Sequence, residues 1–455
     1  MQKGTIEMTT DRPVLLDPDQ KYALERIMSG KNIAIMGKAG SGKSTILRVL
    51  ETLRPKDTAF LGPTGLAALN IGGSTIHSFF HLPVTTLLPD IAASIEPTNR
   101  ACLDLVKTIV LDEFSMIRSD VFQAIDTILR SIAPPGRRAL PFGGKQIVAV
   151  GDPFQLGPVV RRADREELEE HFPSKWAFAT SAWERAEFEC VWLTESHRHG
   201  LDRDFLEALD CLRCGGFGAD SGALEASIDW LNRHVRMCPP PDDAVVLCAR
   251  RKEAERINAE RAGSVAGLLF TYTARITGVF GRDLYPTDTK IPVGVGSRVT
   301  IRRNRTCGGG FEYANGQMGL VVGLPISGQG LPVQLDDGRT VYVKPEVWEN
   351  RVYSVREDSH TGRLGLVHRA IGRFTQIAVR PAYALTVHGA QGATLSRAHV
   401  QMGDGMFAAG QLYTAASRAR SAAGLSLDRE LRREDVIVDR AVIDFYAKML
   451  DGREG

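Results

Sequence analysis

Residues 37–44 read GKAGSGKS and fit the pattern G-x-x-x-x-G-K-S/T of a phosphate-binding loop. The apolar stretch Asn32–Met36 precedes this loop, and a helical pattern follows it. Its glycines let the backbone fold closely around phosphate groups with the N–H groups pointing inward. A strand, such a loop and a helix in succession predict a nucleotide-binding α/β domain. The predicted nucleotide-binding residues of the loop are Gly37, Ala39, Gly40, Ser41, Gly42, Lys43, Ser44 and Thr45.

The phosphate loop predicts a nucleoside triphosphatase that uses ATP and Mg²⁺. Lys43 is expected to reach the β- and γ-phosphates, and the Ser44 hydroxyl to reach Mg²⁺. The apolar stretch Thr108–Leu111 runs directly into Asp112 and Glu113. Asp112 is expected to hold Mg²⁺, directly or through water, and Glu113 to take the proton from the attacking water.

A third polar element follows the apolar stretch Gln146–Val150, where the chain reads GDPFQ at residues 151–155. Gln155 is a candidate to report whether the γ-phosphate is present. A strand, a turn and a buried glutamine would give the same pattern, so both interpretations remain open for Gln155 at this point.

The order of the patterns predicts the organisation of the chain. Strand–helix alternation over residues 1–190 predicts a parallel sheet, whose carboxyl edge collects the polar residues. Between 291 and 367 glycines, alternating β-branched residues and turn pairs such as Asn315-Gly316 predict a small all-β module. Strand–helix alternation surrounds this module, so it is expected to interrupt a second α/β domain formed by 191–290 and 368–455.

Composition narrows the class of protein but not its activity. The chain has 455 residues, a net charge of +2 and seven cysteines. No apolar run reaches the roughly 18–20 residues that span a bilayer, and the N-terminus lacks a signal-peptide pattern. A cytoplasmic or nucleoid-associated protein without a membrane partner is expected. Cys211 and Cys214 form one C-x-x-C pair without a second pair at matching spacing, so no zinc site is predicted.

Several longer stretches resemble superfamily-one helicases of the PIF (petite integration frequency) branch. Residues 63–79 read PTGLAALNIGGSTIHSF and are similar to that family's DNA-contacting loops. Residues 112–116 (DEFSM) and 141–144 (PFGG) resemble the signature that separates this branch from RecD-like relatives. The resemblance runs from Leu16 to Leu425. It implies two RecA-like parallel-sheet domains, a small wedge insertion around residues 80–100, and a Src-homology-type barrel at 291–367.

The resemblance also implies residue roles in ATP hydrolysis. Gln20, in LDPDQ at residues 16–20, resembles the glutamine that reads adenine. Arg198, in LTESHR at 193–198, and Arg418, in YTAASR at 413–418, resemble two arginine fingers. A guanidinium in this position stabilises charge on the phosphoryl group during transfer. Surface salt bridges are the commoner fate of arginines.

The loops that resemble the family's DNA-contacting loops contain small hydrogen-bond donors. Such donors suit a phosphate backbone and carry little sequence information. In residues 383–392 (YALTVHGAQG), Gly389 and Ala390 replace the Lys and Ser that the family usually has. Without these two side chains that donate to phosphate, we expect weaker DNA binding in this segment. The implied DNA-binding residues are Pro63, Thr64, Gly65, Thr75, His77, Ser78, Thr386, His388 and Gln391.

The resemblance implies an ATP-dependent DNA helicase that moves 5′-to-3′ along single-stranded DNA and separates duplex or forked DNA. The free protein is expected to be monomeric. Two alternatives remain open. One is a RecD-like subunit of a larger complex, and the other is a DNA clamp that binds ATP but hydrolyses it slowly. The patterns do not distinguish roles in DNA repair, recombination or replication.

Overall fold

The structure is a computed structural model, which describes residues 15–95, 99–195, 202–263, 269–307, 310–359, 361–403 and 405–451. Within these ranges the first sheet has six parallel strands: β1 Ile33–Gly37, β2 Thr58–Gly62, β3 Ser74–Thr75, β4 Thr108–Asp112, β5 Gln146–Gly151 and β6 Glu189–Leu193. Their order across the sheet is β3-β2-β4-β5-β1-β6. Since all neighbours run parallel, the carboxyl ends of the strands share one edge.

Helices cover both faces of this first sheet. The longest, over 119–132, buries the apolar side chains of Phe122, Ile125 and Leu129 against the strands. The helix that starts at Pro18 begins with a capping box, in which the Asp17 carboxylate accepts from the Gln20 N–H. In chain order the helices are α1 Pro18–Met28, α2 Lys43–Leu53, α3 Gly65–Asn70, α4 Ile76–Phe80, α5 Pro89–Ser94, α6 Arg100–Leu105, α7 Ser119–Ile132, α8 Arg165–His171 and α9 Ser181–Ala186.

A second parallel sheet lies in the later part of the chain. Its strands are β7 Arg236–Met237, β8 Val245–Cys248, β21 Ala384–Thr386, β22 Ala398–Gln401 and β23 Leu425–Leu427, in the order β21-β8-β22-β23-β7. The helices α10 Arg203–Cys214, α11 Ala223–His234, α12 Arg251–Gly263 and α13 Gln411–Ala416 belong to this part. Apolar side chains of α10, among them Phe205 and Leu209, share a buried cluster with Val245 and Leu247 of β8.

The strands between β8 and β21 form the all-β part. They are β9 Phe270–Thr273, β10 Arg275–Gly278, β11 Lys290–Val293, β12 Arg298–Ile301, β13 Arg305–Cys307, β14 Gly310–Tyr313, β15 Met318–Val321, β16 Leu331–Leu335, β17 Thr340–Val343, β18 Pro345–Glu357, β19 Leu364–Ile377 and β20 Val379–Pro381. An antiparallel sheet has the order β17-β16-β15-β12-β20. In addition, β9 pairs with β11, β13 pairs with β14, and β18 and β10 flank β19. Two parallel sheets with additional all-β sheets confirm the predicted α/β fold class.

The pairing of the strands suggests different limits for the inserted module. The strands β9 and β10 precede residue 291, and β19 and β20 extend beyond 367, yet all four pair with strands of the module. We therefore propose 270–381 for the insertion in place of 291–367. The wedge region around 80–100 contains α5 and the start of α6, with residues 96–98 outside the described ranges.

The C-terminal helix α14 (Arg440–Asp451) returns from the second sheet to the first. The Phe445 ring stacks on Phe178 at 4.2 Å between ring centroids, and lies edge-on to Trp183 at 5.8 Å. The Trp176 indole N–H donates to the Asp439 carboxylate at 3.0 Å. These contacts connect the two sheets. Among the described residues, no helix has the length and apolar character needed to cross a membrane.

The long β18–β19 hairpin reaches from the all-β module to the first sheet. The Phe60 N–H, in β2, donates to the Tyr353 hydroxyl at 2.7 Å, and the Tyr353 ring lies edge-on to Phe79. The Ser74 hydroxyl donates to the Arg351 carbonyl at 2.9 Å, and the Leu366 N–H to the Lys56 carbonyl at 3.0 Å. The hairpin therefore packs beside the α4 segment that the sequence predicts to bind DNA.

Replacing Tyr353 with Phe keeps the ring but removes the hydroxyl that satisfies the buried Phe60 amide. We expect the free energy of unfolding to fall by about 1–3 kcal/mol. Hydrogen exchange at the Phe60 amide should also become faster. Tyr342→Phe is the control, since its half-buried hydroxyl has no hydrogen-bond partner within the described part of the chain. Equal stability and equal Phe60 exchange in Tyr353→Phe and wild type would contradict the docked hairpin.

Candidate active site

The phosphate loop lies between β1 and α2, as the sequence predicts. Gly42 caps α2 with a φ of 81°, a left-handed conformation that favours glycine. A Cβ at Gly37 would lie 2.5 Å from Ser41 Oγ and 3.1 Å from the Leu193 carbonyl oxygen, so a larger residue would require these neighbours to shift. The Lys43 Nζ donates to the carbonyls of Gly37 at 2.6 Å and Lys38 at 3.0 Å. Burial lowers the pKa of Lys43.

Gln20 lies at the base of this loop. Its Nε2 is 3.4 Å from the Gly42 carbonyl, and its Oε1 accepts from the Asp17 N–H at 3.1 Å. The side chain is buried. The capping box of α1 thus places the predicted adenine-reading amide within hydrogen-bond distance of the phosphate loop.

Two half-buried carboxylates lie at the end of β4 beside the loop: Asp112 is the last residue of the strand, and Glu113 follows it. Burial raises the pKa of Asp112 to about 7, and the neighbouring charge of Glu113 adds to the rise. Burial also raises the pKa of Glu113, which the nearby cations Lys43 and Arg418 oppose. Glu113 has a φ of 50°, a left-handed conformation that is uncommon in residues other than glycine and that follows the last residue of β4. The structure therefore brings both carboxylates to the side of the loop that carries Lys43.

A set of oxygen donors suited to Mg²⁺ lines one cavity. Ser44, Asp112 and Glu113 all face a cavity of about 790 Å³ that extends toward the all-β module. Hydroxyl and carboxylate oxygens are the ligands that Mg²⁺ prefers, usually alongside phosphate oxygens and water. The residues present therefore fit a magnesium ion.

Gln155 lies in the loop after β5 and is buried. Its Nε2 donates to the Asp152 carboxylate at 3.2 Å, and the Asp152 carboxylate also binds Arg213 at 2.8 Å. Ionic and hydrogen-bonding contacts with Arg213 outweigh burial and lower the pKa of Asp152. Asp152, which binds the Gln155 amide, also lies close to Lys43, because the charges of Asp152 and Lys43 each shift the pKa of the other.

Of the two predicted arginine fingers, Arg418 lies in the described part and Arg198 lies outside it. Arg418 is buried and donates to the carbonyls of Thr414 at 2.8 Å and Ala393 at 3.1 Å. Its charge opposes the rise in the pKa of Glu113, so the guanidinium lies near that carboxylate. Arg418 follows α13, which packs with the second sheet. The two sheets therefore both contribute to the site.

The predicted DNA-binding residues of the first sheet lie on one edge. Gly62, at the end of β2, pairs with Thr75 of β3. The Thr64 hydroxyl accepts from the Ala67 N–H at the start of α3, and the Thr75 hydroxyl accepts from the Ser78 N–H at the start of α4, each at 3.2 Å. Each hydroxyl keeps its proton for donation. Pro63, Gly65, His77 and Ser78 belong to the same two turns.

The second sheet repeats this arrangement at β21. The Thr386 hydroxyl accepts from the Gly389 N–H at 2.9 Å, and His388 is exposed. Gln391, which the sequence predicts as a DNA contact, donates from Nε2 to the Glu113 carboxylate at 3.2 Å. The turn at 388–390 directs Gln391 toward the first sheet. One short segment therefore presents Thr386 and His388 at its start and contacts a nucleotide-site carboxylate at its end.

Several residues at this interface were not predicted as site residues. The Ala39 N–H of the phosphate loop donates to the Tyr413 hydroxyl at 3.2 Å. Lys38 pairs with Asp210 at 2.5 Å, and Asp152 pairs with Arg213. Asp210 and Arg213 are single charges on an amphipathic helix, which usually indicate a solvated face. The sequence signal available for Asp152 was its place directly after Gly151, the last residue of β5.

Comparisons with known proteins agree with this geometry. A family model described as PIF1-like helicase matches residues 15–205. The chain is 30% identical over 447 residues to a protein named ATP-dependent DNA helicase Pif1 from Bdellovibrio bacteriovorus, covering 96% of this chain and 92% of that relative.

Solved structures of similar proteins extend over almost the whole chain. A crystal structure of Bacteroides sp Pif1 in complex with ADP-AlF4 has a TM-score of 0.85 at 28% identity, covering 96% of this chain and 98% of that one. Pif1 helicase from Bacteroides in complex with ADP-AlF3 and ssDNA has a TM-score of 0.65 at the same identity and the same coverage. On these comparisons and on the residues assembled around its phosphate loop, the chain belongs to the PIF1-like helicase family.

Proposed function

We propose that this protein is an ATP-dependent DNA helicase that translocates 5′-to-3′ on single-stranded DNA and separates duplex or forked DNA. Support comes from relatives named as ATP-dependent DNA helicases and from a Bacteroides relative crystallised with a nucleotide analogue and ssDNA. The 5′-to-3′ direction follows from the family resemblance of residues 63–79 and 141–144. The free protein is proposed to be a monomer.

One observation carries the proposal beyond ATP binding alone. The Gln391 amide donates to the Glu113 carboxylate, and Gln391 belongs to the segment that begins with Thr386 and His388. If a phosphate backbone contacts Thr386 and His388, a shift of this segment moves the Gln391 amide relative to Glu113. DNA occupancy then alters the carboxylate that accepts the proton during hydrolysis. This is the physical link a translocating enzyme requires.

The residues divide the work of hydrolysis as follows. Lys43 and the N–H groups of residues 40–45 bind the phosphates, and Gln20 contacts the adenine. Ser44 and Asp112 hold Mg²⁺, which neutralises phosphate charge when bound. Glu113 accepts a proton from the attacking water, and its burial and raised pKa favour proton uptake. Gln155 senses the γ-phosphate, while Arg418 and Arg198 stabilise charge on the phosphoryl group.

Movement follows from the division of the site between two sheets. Lys43 and Glu113 lie on the first sheet, whereas Arg418 and Gln391 come from the second. Nucleotide binding draws the two groups together, and phosphate release removes that attraction. Each sheet presents threonine hydroxyls at helix-capping turns, which bind phosphates of any sequence. Alternating DNA binding at these two edges advances the enzyme along single-stranded DNA.

The proposal predicts that single-stranded DNA stimulates steady-state ATP hydrolysis and that duplexes with a 5′ tail are unwound. A duplex with a 3′ tail serves as the matched substrate and should remain paired. Unwinding from the 3′ tail would contradict the proposed direction while retaining helicase activity. Tight DNA binding without stimulation would support the slow clamp, and activity that requires a co-purifying partner would support a RecD-like subunit.

Two substitutions separate nucleotide binding from hydrolysis. Lys43→Ala should abolish turnover because it removes the cation that contacts the phosphates. Glu113→Gln should preserve nucleotide affinity and lower the hydrolysis rate about 10²–10⁴-fold, since the amide cannot accept the proton. Turnover in Lys43→Ala would contradict the phosphate-loop assignment. Parallel loss of nucleotide affinity and turnover in Glu113→Gln would indicate structural damage and remove the proton-acceptor role.

Gly389→Lys restores the cation that the family usually has in this segment. A Cβ at Gly389 would lie 2.9 Å from Thr386 Oγ1, so Gly389→Ala is the control for that close contact without charge. We expect the lysine variant to bind single-stranded DNA more tightly than the alanine variant. Its affinity should also depend more steeply on salt, by about 0.7 in the log–log slope for one added phosphate contact. Equal slopes would exclude a phosphate contact at residue 389.

A further inference from the structure

An ion pair between Asp152 and Arg213 joins the two sheets next to the phosphate loop. Arg213 lies on α10, whose apolar face packs into the core of the second sheet. Its Nη2 and Nε lie 2.8 Å and 3.1 Å from Asp152 Oδ1, and Nε lies 3.2 Å from Oδ2. The side chains are 11% and 0% exposed for Arg213 and Asp152, so both charges are removed from water.

The Asp152 carboxylate is shared between the two sides of this interface. Besides Arg213, it accepts from Gln155 Nε2 at 3.2 Å and from the Phe154 N–H at 3.3 Å. The Arg213 guanidinium also lies over the Phe154 ring, 4.5 Å from its centroid. A single arginine from the second sheet thus contacts both the carboxylate that binds the Gln155 amide and the ring of the preceding residue, Phe154.

The backbone around Gln155 leaves little room for adjustment. Gly410 precedes α13, and a Cβ on it would lie 2.5 Å from the carbonyl oxygens of Phe154 and Gln155. The loop is therefore enclosed between Gly410 on one helix and Arg213 on another. Both helices belong to the second sheet, so a movement of that sheet displaces the loop carrying Gln155.

We propose that Arg213 is a positioning residue for ATP hydrolysis, which acts through Asp152 to set the amide of Gln155 against the γ-phosphate when the two sheets close. The inference rests on the proposed ATPase activity, and it gives a role to Arg213, which belongs to none of the sequence motifs described above. The planar guanidinium holds one carboxylate oxygen through two nitrogens while it stacks on Phe154. A lysine ammonium preserves the charge but neither the fork nor the stacking.

The test compares Arg213→Lys with wild type in steady-state ATP hydrolysis at saturating single-stranded DNA, together with ADP affinity and thermal stability. Arg298→Lys is the matched control, because Arg298 makes a similarly buried paired contact with Asp336 in the all-β module. We expect Arg213→Lys to lower kcat roughly 10²-fold, as a misplaced catalytic group does. Its ADP affinity should stay within about twofold of wild type, and its stability should match that of Arg298→Lys.

The double variant Asp152→Asn with Arg213→Gln separates positioning from charge balance. It removes both buried charges, so a purely structural pair would recover turnover in this variant, whereas a positioning role predicts that kcat stays low in a folded protein. Normal kcat in Arg213→Lys, or recovery in the double variant, would overturn the inference. A fall in kcat that only accompanies lost ADP affinity or lost stability would overturn it as well. Absence of turnover in wild type would instead contradict the proposed function.

Discussion

Buried and half-buried charges at the interface between the two parallel sheets must compensate one another, and the remaining architecture depends on this constraint. Lys43, Glu113 and Asp152 come from the first sheet, while Arg213 and Arg418 come from the second. An isolated buried charge is costly, so each sheet needs the other for its charges to be stable. Bound nucleotide adds phosphate charge to the same place. We therefore expect the relative position of the sheets to depend on the state of the nucleotide.

The same geometry explains why the turns that we propose to bind DNA lie where they do. In a parallel sheet the carboxyl ends of all β-strands lie on one edge. The loop that holds the phosphates of a nucleotide and the turns proposed to contact single-stranded DNA are therefore neighbours. Thr64 and Thr75 project from the first edge, and Thr386 from the second. The β18–β19 hairpin adds a contact from the all-β module to β2 through Tyr353. A shift of the module is thereby connected to the edge that we propose to bind DNA.

Local patterns in the sequence were sufficient to predict much of this arrangement. The strands predicted at Asn32–Met36 and Gln146–Val150 lie within one residue of β1 and β5, because apolar runs that end in glycine or aspartate have few other interpretations. The phosphate loop lies where its spacing predicts. The all-β character of the inserted module was also predicted, but the pairing of its strands was not. The reason is that β9 and β10 pair with strands that lie up to about a hundred residues later in the chain; Arg275, for example, pairs with Thr375.

Contacts between distant segments could not be predicted, because nothing local distinguishes them. Arg213 lies on an ordinary amphipathic helix, and its partner Asp152 is 61 residues away. Gln391 is predicted as a DNA contact by its motif, and the contact of its amide with Glu113, 278 residues away, was not predicted. Such pairs form only when both sheets are assembled. They are also the contacts that we propose make nucleotide and DNA binding interdependent.

The most direct test of that interdependence is the affinity for a fluorescent single-stranded oligonucleotide, measured by anisotropy with and without saturating ADP and aluminium fluoride. Coupling through the Gln391–Glu113 contact predicts that the Kd for DNA changes about 5- to 150-fold between the two conditions. In Gln391→Ala most of that change should be lost. An identical Kd in both conditions, or a full change that persists in Gln391→Ala, would contradict coupling across the interface.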